Sequence, residues 1–149
     1  MIREEFFPTS IYSKDIQLDN NKLAEDIIAW SNKDPGVSKT NFKGWHSTTD
    51  MQTKLEYKTL VDEIIIASKE VFKEEFLDRE PVMGNMWANI NPTGAANDPH
   101  IHPNSHFSGV YYINTNPKCG VLKITDPRPG VQSVMPIKKP GEPPKRLWR

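Results

Sequence analysis

The 149 residues carry 19 basic and 19 acidic side chains, so no net field favours nucleic acid or an anionic membrane, and the length suits one domain over 1–149 with its own core. A single cysteine, Cys119, excludes an internal disulfide framework and accords with a reducing cytosol. The longest apolar run, Ile64-Ile65-Ile66-Ala67, is far below the roughly 20 residues of a membrane span, and Met1-Ile2-Arg3-Glu4-Glu5 lacks the basic-then-apolar order of a signal peptide; a cytoplasmic protein without membrane or nucleic-acid partners is expected.

In chain order, Phe6 to Tyr12 reads as an opening strand, with Pro8 confining it to an edge or a bend. Asp19-Asn20-Asn21 offers N-cap oxygens to a helix near 20–32 that carries Leu23, Ala24, Ile27 and Ile28 on one stripe and ends before Asp34-Pro35-Gly36. A longer helix is predicted over 53–76. Its apolar positions Leu60, Val61, Ile64, Ile65, Val71 and Phe72 follow the i, i+3, i+4 spacing of a helix laid on a core, and its Lys/Glu-rich remainder reads as a solvated face.

After Pro81 the periodicity changes from helical to alternating. Met86–Asn91, Phe107–Asn114 and Val121–Thr125 read as strands, rich in aromatic and β-branched residues and bounded by Pro, Gly and Asn. In the first, Trp87, Asn89 and Asn91 share one face and Met86, Ala88 and Ile90 the other; the Asn pair fits either a polar interior or a solvent face. In the second, Ser108, Val110 and Tyr112 oppose Phe107, Tyr111 and Ile113. The chain thus divides into a helical half (1–80), a strand-rich half (81–135) and a Pro-rich, basic tail (136–149) that reads as loop. The class is α+β, with two helices packed on one face of an antiparallel sheet.

Between the first two strand-like runs, Asn97-Asp98-Pro99-His100-Ile101-His102-Pro103-Asn104-Ser105-His106 holds three of the four histidines. Imidazole is the commonest side-chain metal ligand near neutral pH. In an extended segment residues i and i+2 project to one side, so His100 and His102 point together.

Trp87-Ala88-Asn89-Ile90-Asn91, His100-Ile101-His102-Pro103-Asn104-Ser105, Ser108-Gly109-Val110-Tyr111-Tyr112-Ile113 and Gly120 to Arg128 resemble a family of 2-oxoglutarate- and Fe(II)-dependent oxygenases of marine bacterial and cyanophage type. Phe6-Phe7-Pro8-Thr9 and Gly44-Trp45-His46-Ser47 resemble its N-terminal part, so the likeness covers nearly the whole chain. The sharpest piece is His-x-His-Pro followed by Ser-Gly-Val-Tyr-Tyr. The resemblance implies a double-stranded β-helix (a cupin-like jelly roll) and an oxidation of hydroxylase type on an unknown substrate. It also implies Fe(II) as the metal, with 2-oxoglutarate and dioxygen as cosubstrates. Such enzymes hold iron on a face of two histidines and one carboxylate, leaving positions for 2-oxoglutarate and dioxygen, and a downstream Arg or Lys pairs with the distal 2-oxoglutarate carboxylate.

By that resemblance His100 and His102 occupy the place of the first ligand pair. His102 stands where the commoner pattern has a carboxylate, and Asp98 is the alternative oxygen donor. His106 reads as a supporting residue. Tyr112 is the candidate hydrogen-bond partner of a 2-oxoglutarate carboxylate, weighed equally against a packed aromatic, and Asn89 is a candidate cavity-lining amide. Arg128 suits a turn or salt bridge better than a cofactor, and His46 a structural role. No histidine follows His106 and about half of the roughly eight jelly-roll strands are recognisable, so the expectation is an N-terminal fragment of the oxygenase fold that leaves one sheet face partly uncovered. The competing expectation from another class is a non-catalytic metal-binding or structural β-sandwich module, phage-associated, for which the compartment is the host cytoplasm. The oligomeric state is open.

Overall fold

The computed structural model describes residue 2 and residues 9–126. Of the expected opening strand, Phe6, Phe7 and Pro8 lie outside the described residues, as do Arg128 and the tail; residues 9–12 form no strand.

Helix α1 spans Asn20–Ser31. It starts where Asp19 can cap it: the Asp19 carboxylate accepts the Lys22 backbone N–H at 3.0 Å, satisfying one of the amides that a helix start leaves without an internal partner. Leu23 and Ile27 bury the inner stripe, whereas Ile28 is about half exposed. The chain leaves the helix at Asn32, ahead of Asp34-Pro35-Gly36 as the sequence requires.

Helix α2 spans Lys58–Glu74, shorter at its start than the periodicity suggests. Two single 3-10 turns, Met51–Thr53 and Leu55–Tyr57, precede it. Lys54 between them is extended (φ −88°, ψ 132°), which interrupts helical hydrogen bonding. Met51, Tyr57 and Leu60 are each 1 % exposed. They form the core with Leu23, Ile27 and Ala88, and Ile64, Trp30, Trp45, Met86, Ile90, Tyr111 and Ile113 pack around it.

The β structure is a ribbon in which residues 40–51 run against 86–98. Strand β1 (Asn41–Phe42) pairs antiparallel with β4 (Ala96–Asn97), and β2 (Trp45–His46) with β3 (Asn89–Ile90). The registers are Asn41 opposite Asn97, Phe42 opposite Ala96, Trp45 opposite Ile90 and His46 opposite Asn89. Backbone hydrogen bonds continue the pairing past both ends, from Asp98 to Thr40 (2.8 Å) and from Ser47 to Ala88 (3.0 Å). Asp50 and Met86 add an isolated bridge. The face assignment in 86–91 resolves to a solvent face: Asn89 and Asn91 are exposed, and Met86, Ala88 and Ile90 turn to the core.

Two expected strands are not formed. Phe107–Asn114 and Val121–Thr125 have no ladder among the described residues, where the backbone hydrogen bond within this stretch is Cys119 to Asn116 at the turn between them. A strand exists only when a second backbone accepts and donates along it, and sequence alternation cannot supply that neighbour. The alternation itself persists. Tyr111 and Ile113 lean on the core and Phe107 meets Phe72 of α2 at 5.6 Å between ring centroids, while Val110 and Tyr112 are more than half exposed. The described residues are therefore α+β, two helices with two small antiparallel sheets, and a jelly roll is not formed among them. No described helix is long and apolar enough to cross a membrane.

Candidate functional site

The ribbon positions the histidine segment. Asp98 is the last residue tied to it, through its N–H to Thr40, and His100 follows two residues on. The ring of His100 returns to this anchor: its Nδ1 lies 2.7 Å from the Asp98 carbonyl oxygen. A carbonyl only accepts, so Nδ1 carries the hydrogen and the neutral ring keeps its lone pair on Nε2. That tautomer is the usual one for a metal-ligating imidazole whose other nitrogen donates to a carbonyl. Asp98 thus bears on the pair through its backbone oxygen.

His102 lies beside His100, ring centroids 4.9 Å apart and planes at 71°. The i, i+2 spacing brings the two imidazoles together, as expected. The other candidates are elsewhere. His106 is exposed, makes no ring contact or hydrogen bond with the pair, and lines an open depression with Asn104 and Ser105. Tyr112 is 55 % exposed, on the side of its segment away from the core. Asn89 is exposed on β3, opposite His46 in register.

His46 is more closely tied to the pair than its position in the sequence suggests. It is buried on β2, and its Nδ1–H donates to the Ser47 carbonyl at 2.6 Å. Its ring stacks on Trp87 at 5.4 Å and 11°, and Trp87 stacks in turn on His102 at 5.4 Å and 28°. The four rings form one series: His46, Trp87, His102, His100. The place of Trp87 in this series is not evident from the spacing of the histidines. The available signal was its place on the Asn89 face, which lacks the apolar partners that would make a tryptophan there a core residue.

The donor types suit iron: two imidazoles, one with its Nδ1 already engaged by a carbonyl, are ligands that Fe(II) accepts. They fit the nitrogen part of such a centre. Among the described residues no group of three His, Cys, Asp or Glu side chains is placed to hold a metal.

Residues 85–147 match the model of a family described as putative 2OG-Fe(II) oxygenase. The matched stretch contains Trp87, Asp98, His100, His102, His106 and Tyr112, and leaves out His46. No curated protein and no solved structure matches the chain.

Proposed function

We propose Fe(II)- and 2-oxoglutarate-dependent oxygenase chemistry for this protein, with His100 and His102 as two of the iron ligands. The observation that carries the reading is the adjacency of the two imidazoles, 4.9 Å between centroids, inside the stretch that matches the oxygenase family. When bound, the metal supplies the redox chemistry that couples dioxygen to 2-oxoglutarate. The chain's own part is to present two imidazole nitrogens from one extended segment, with the Asp98 carbonyl holding the Nδ1–H of His100. In this reading the exposed row Val110 and Tyr112 belongs to a double-stranded β-helix wall, with Tyr112 directed at the 2-oxoglutarate carboxylate and Asn89 lining the same cavity. Asp98 and His106 take outer, supporting positions.

The second reading is a non-catalytic metal-binding module, for which the same two adjacent imidazoles would be the donors. Two measurements separate them. Anaerobic calorimetric titration with Co(II) or Fe(II) should show binding that His100→Ala and His102→Ala each weaken, with affinities following the general divalent order. Unchanged affinity in both variants would remove the metal assignment. Succinate release that requires both added Fe(II) and 2-oxoglutarate supports the oxygenase; a Co(II) visible spectrum that added 2-oxoglutarate leaves unchanged supports the module.

A further inference from the structure

From residue 96 to residue 110 every side chain is exposed except that of His102. A lone half-buried residue in an otherwise exposed segment must be held by something outside the segment. Among the described residues the rings in contact with His102 are those of His100, within the same segment, and Trp87, outside it.

Trp87 is well placed to hold it. Its neighbours on both sides are fixed to the opposite side of the ribbon. The Met86 carbonyl accepts the Met51 N–H at 3.1 Å, and Ala88 exchanges bonds with the fully buried Ser47, whose N–H donates to the Ala88 carbonyl and whose Oγ accepts the Ala88 N–H, both at 3.0 Å. The plane of the indole is then set by His46, buried and tied through its Nδ1–H to the Ser47 carbonyl. A rigid backbone, a stacked buried imidazole and the indole thus form a continuous support that ends on the His102 ring.

We propose that Trp87 is a positioning residue for the histidine pair: stacked against His46, it fixes the ring plane of His102 and so the direction in which the pair presents its nitrogens. The proposal rests on the reading of His100 and His102 as metal ligands for its functional consequence, and on the ring geometry alone for its structural part. Ligand rings already held in the bound orientation lose less freedom on binding, so removing the support should loosen the metal without removing any donor.

The test has a metal-free arm and a metal arm on the full chain. By NMR without metal, the His102 ring protons should be displaced upfield by the Trp87 ring current, and Trp87→Leu should return them toward the values of an exposed histidine. An undisplaced His102 resonance in the unsubstituted protein overturns the proposal whether or not any variant folds. In anaerobic Co(II) titration Trp87→Leu should lose about three- to tenfold in affinity, the equivalent of one stacked aromatic contact. Trp87→Phe, which restores a stacking face, should recover most of that loss and keep the Co(II) visible spectrum of the unsubstituted protein. Wild-type affinity and spectrum in a folded Trp87→Leu overturn the positioning role. Co(II) affinity that ignores His100→Ala and His102→Ala, alongside a displaced His102 resonance, overturns the metal reading and leaves the stack intact.

Discussion

The hydroxyl of Tyr111 donates to the Asn20 side-chain oxygen at 2.6 Å and lies 3.5 Å from the Ile16 carbonyl. This joins the segment after the histidines to the first residue of α1. The ring lies against the core and the bond is partly buried. Tyr111→Phe keeps the packing and removes the donor. It should lower the unfolding free energy by about 1 kcal/mol, read from urea denaturation.

Ser47 is fully buried and its Oγ accepts the Ala88 N–H while donating to the Thr48 carbonyl. Ser47→Ala would leave the Ala88 amide buried without that acceptor, at a cost of about 1–3 kcal/mol. Hydrogen exchange at Ala88 should accelerate more than exchange along α1, because the loss is local to the ribbon.

Gly36 is the position where a glycine is required. Its φ is +74°, and a Cβ there would lie 2.5 Å from the His46 carbonyl oxygen and 2.7 Å from Trp45 Nε1. The close approach lets the Val37 N–H reach the same His46 carbonyl at 2.8 Å and the Trp45 indole N–H reach the Asp34 carbonyl at 2.9 Å. Gly36→Ala combines left-handed strain with a backbone clash and should destabilise by about 2 kcal/mol or more, seen as a fall in Tm.

Tyr57 is 1 % exposed, with Trp30 stacked on it at 6.0 Å. Burial, with lesser contributions from the Glu56 and Asp26 carboxylates, pushes its hydroxyl up to about 12, against about 10 in an unfolded chain. Because the folded state holds the proton more tightly, this contribution is intact below pH about 10 and is lost as pH rises toward about 12. Unfolding free energy measured across that window should fall for the unsubstituted protein, and Tyr57→Phe should flatten the fall while changing little near neutrality.

The helices were legible because their determinants are local. Asp19 stands where an N-cap is needed, and the Leu60 and Ile64 spacing identifies the inner side of α2 before any partner is known. The side-to-side alternation of Tyr111, Tyr112 and Ile113 was legible for the same reason, since it follows from the backbone of an extended segment. Whether those residues join a sheet was not, because a ladder depends on a second backbone brought from elsewhere in the chain. The same division runs through the candidate site. The adjacency of His100 and His102 is a two-residue repeat and follows from sequence spacing. The stacking of His102 on Trp87, and of Trp87 on the buried His46, exists only because residues 40–51 pair with 86–98. Local spacing accounts for the presence of both helices and their inner stripes, the segment sidedness and the paired imidazoles; where α2 begins and which rings lean on one another come from the folded chain, since long-range pairing, and not local spacing, sets where its two halves meet.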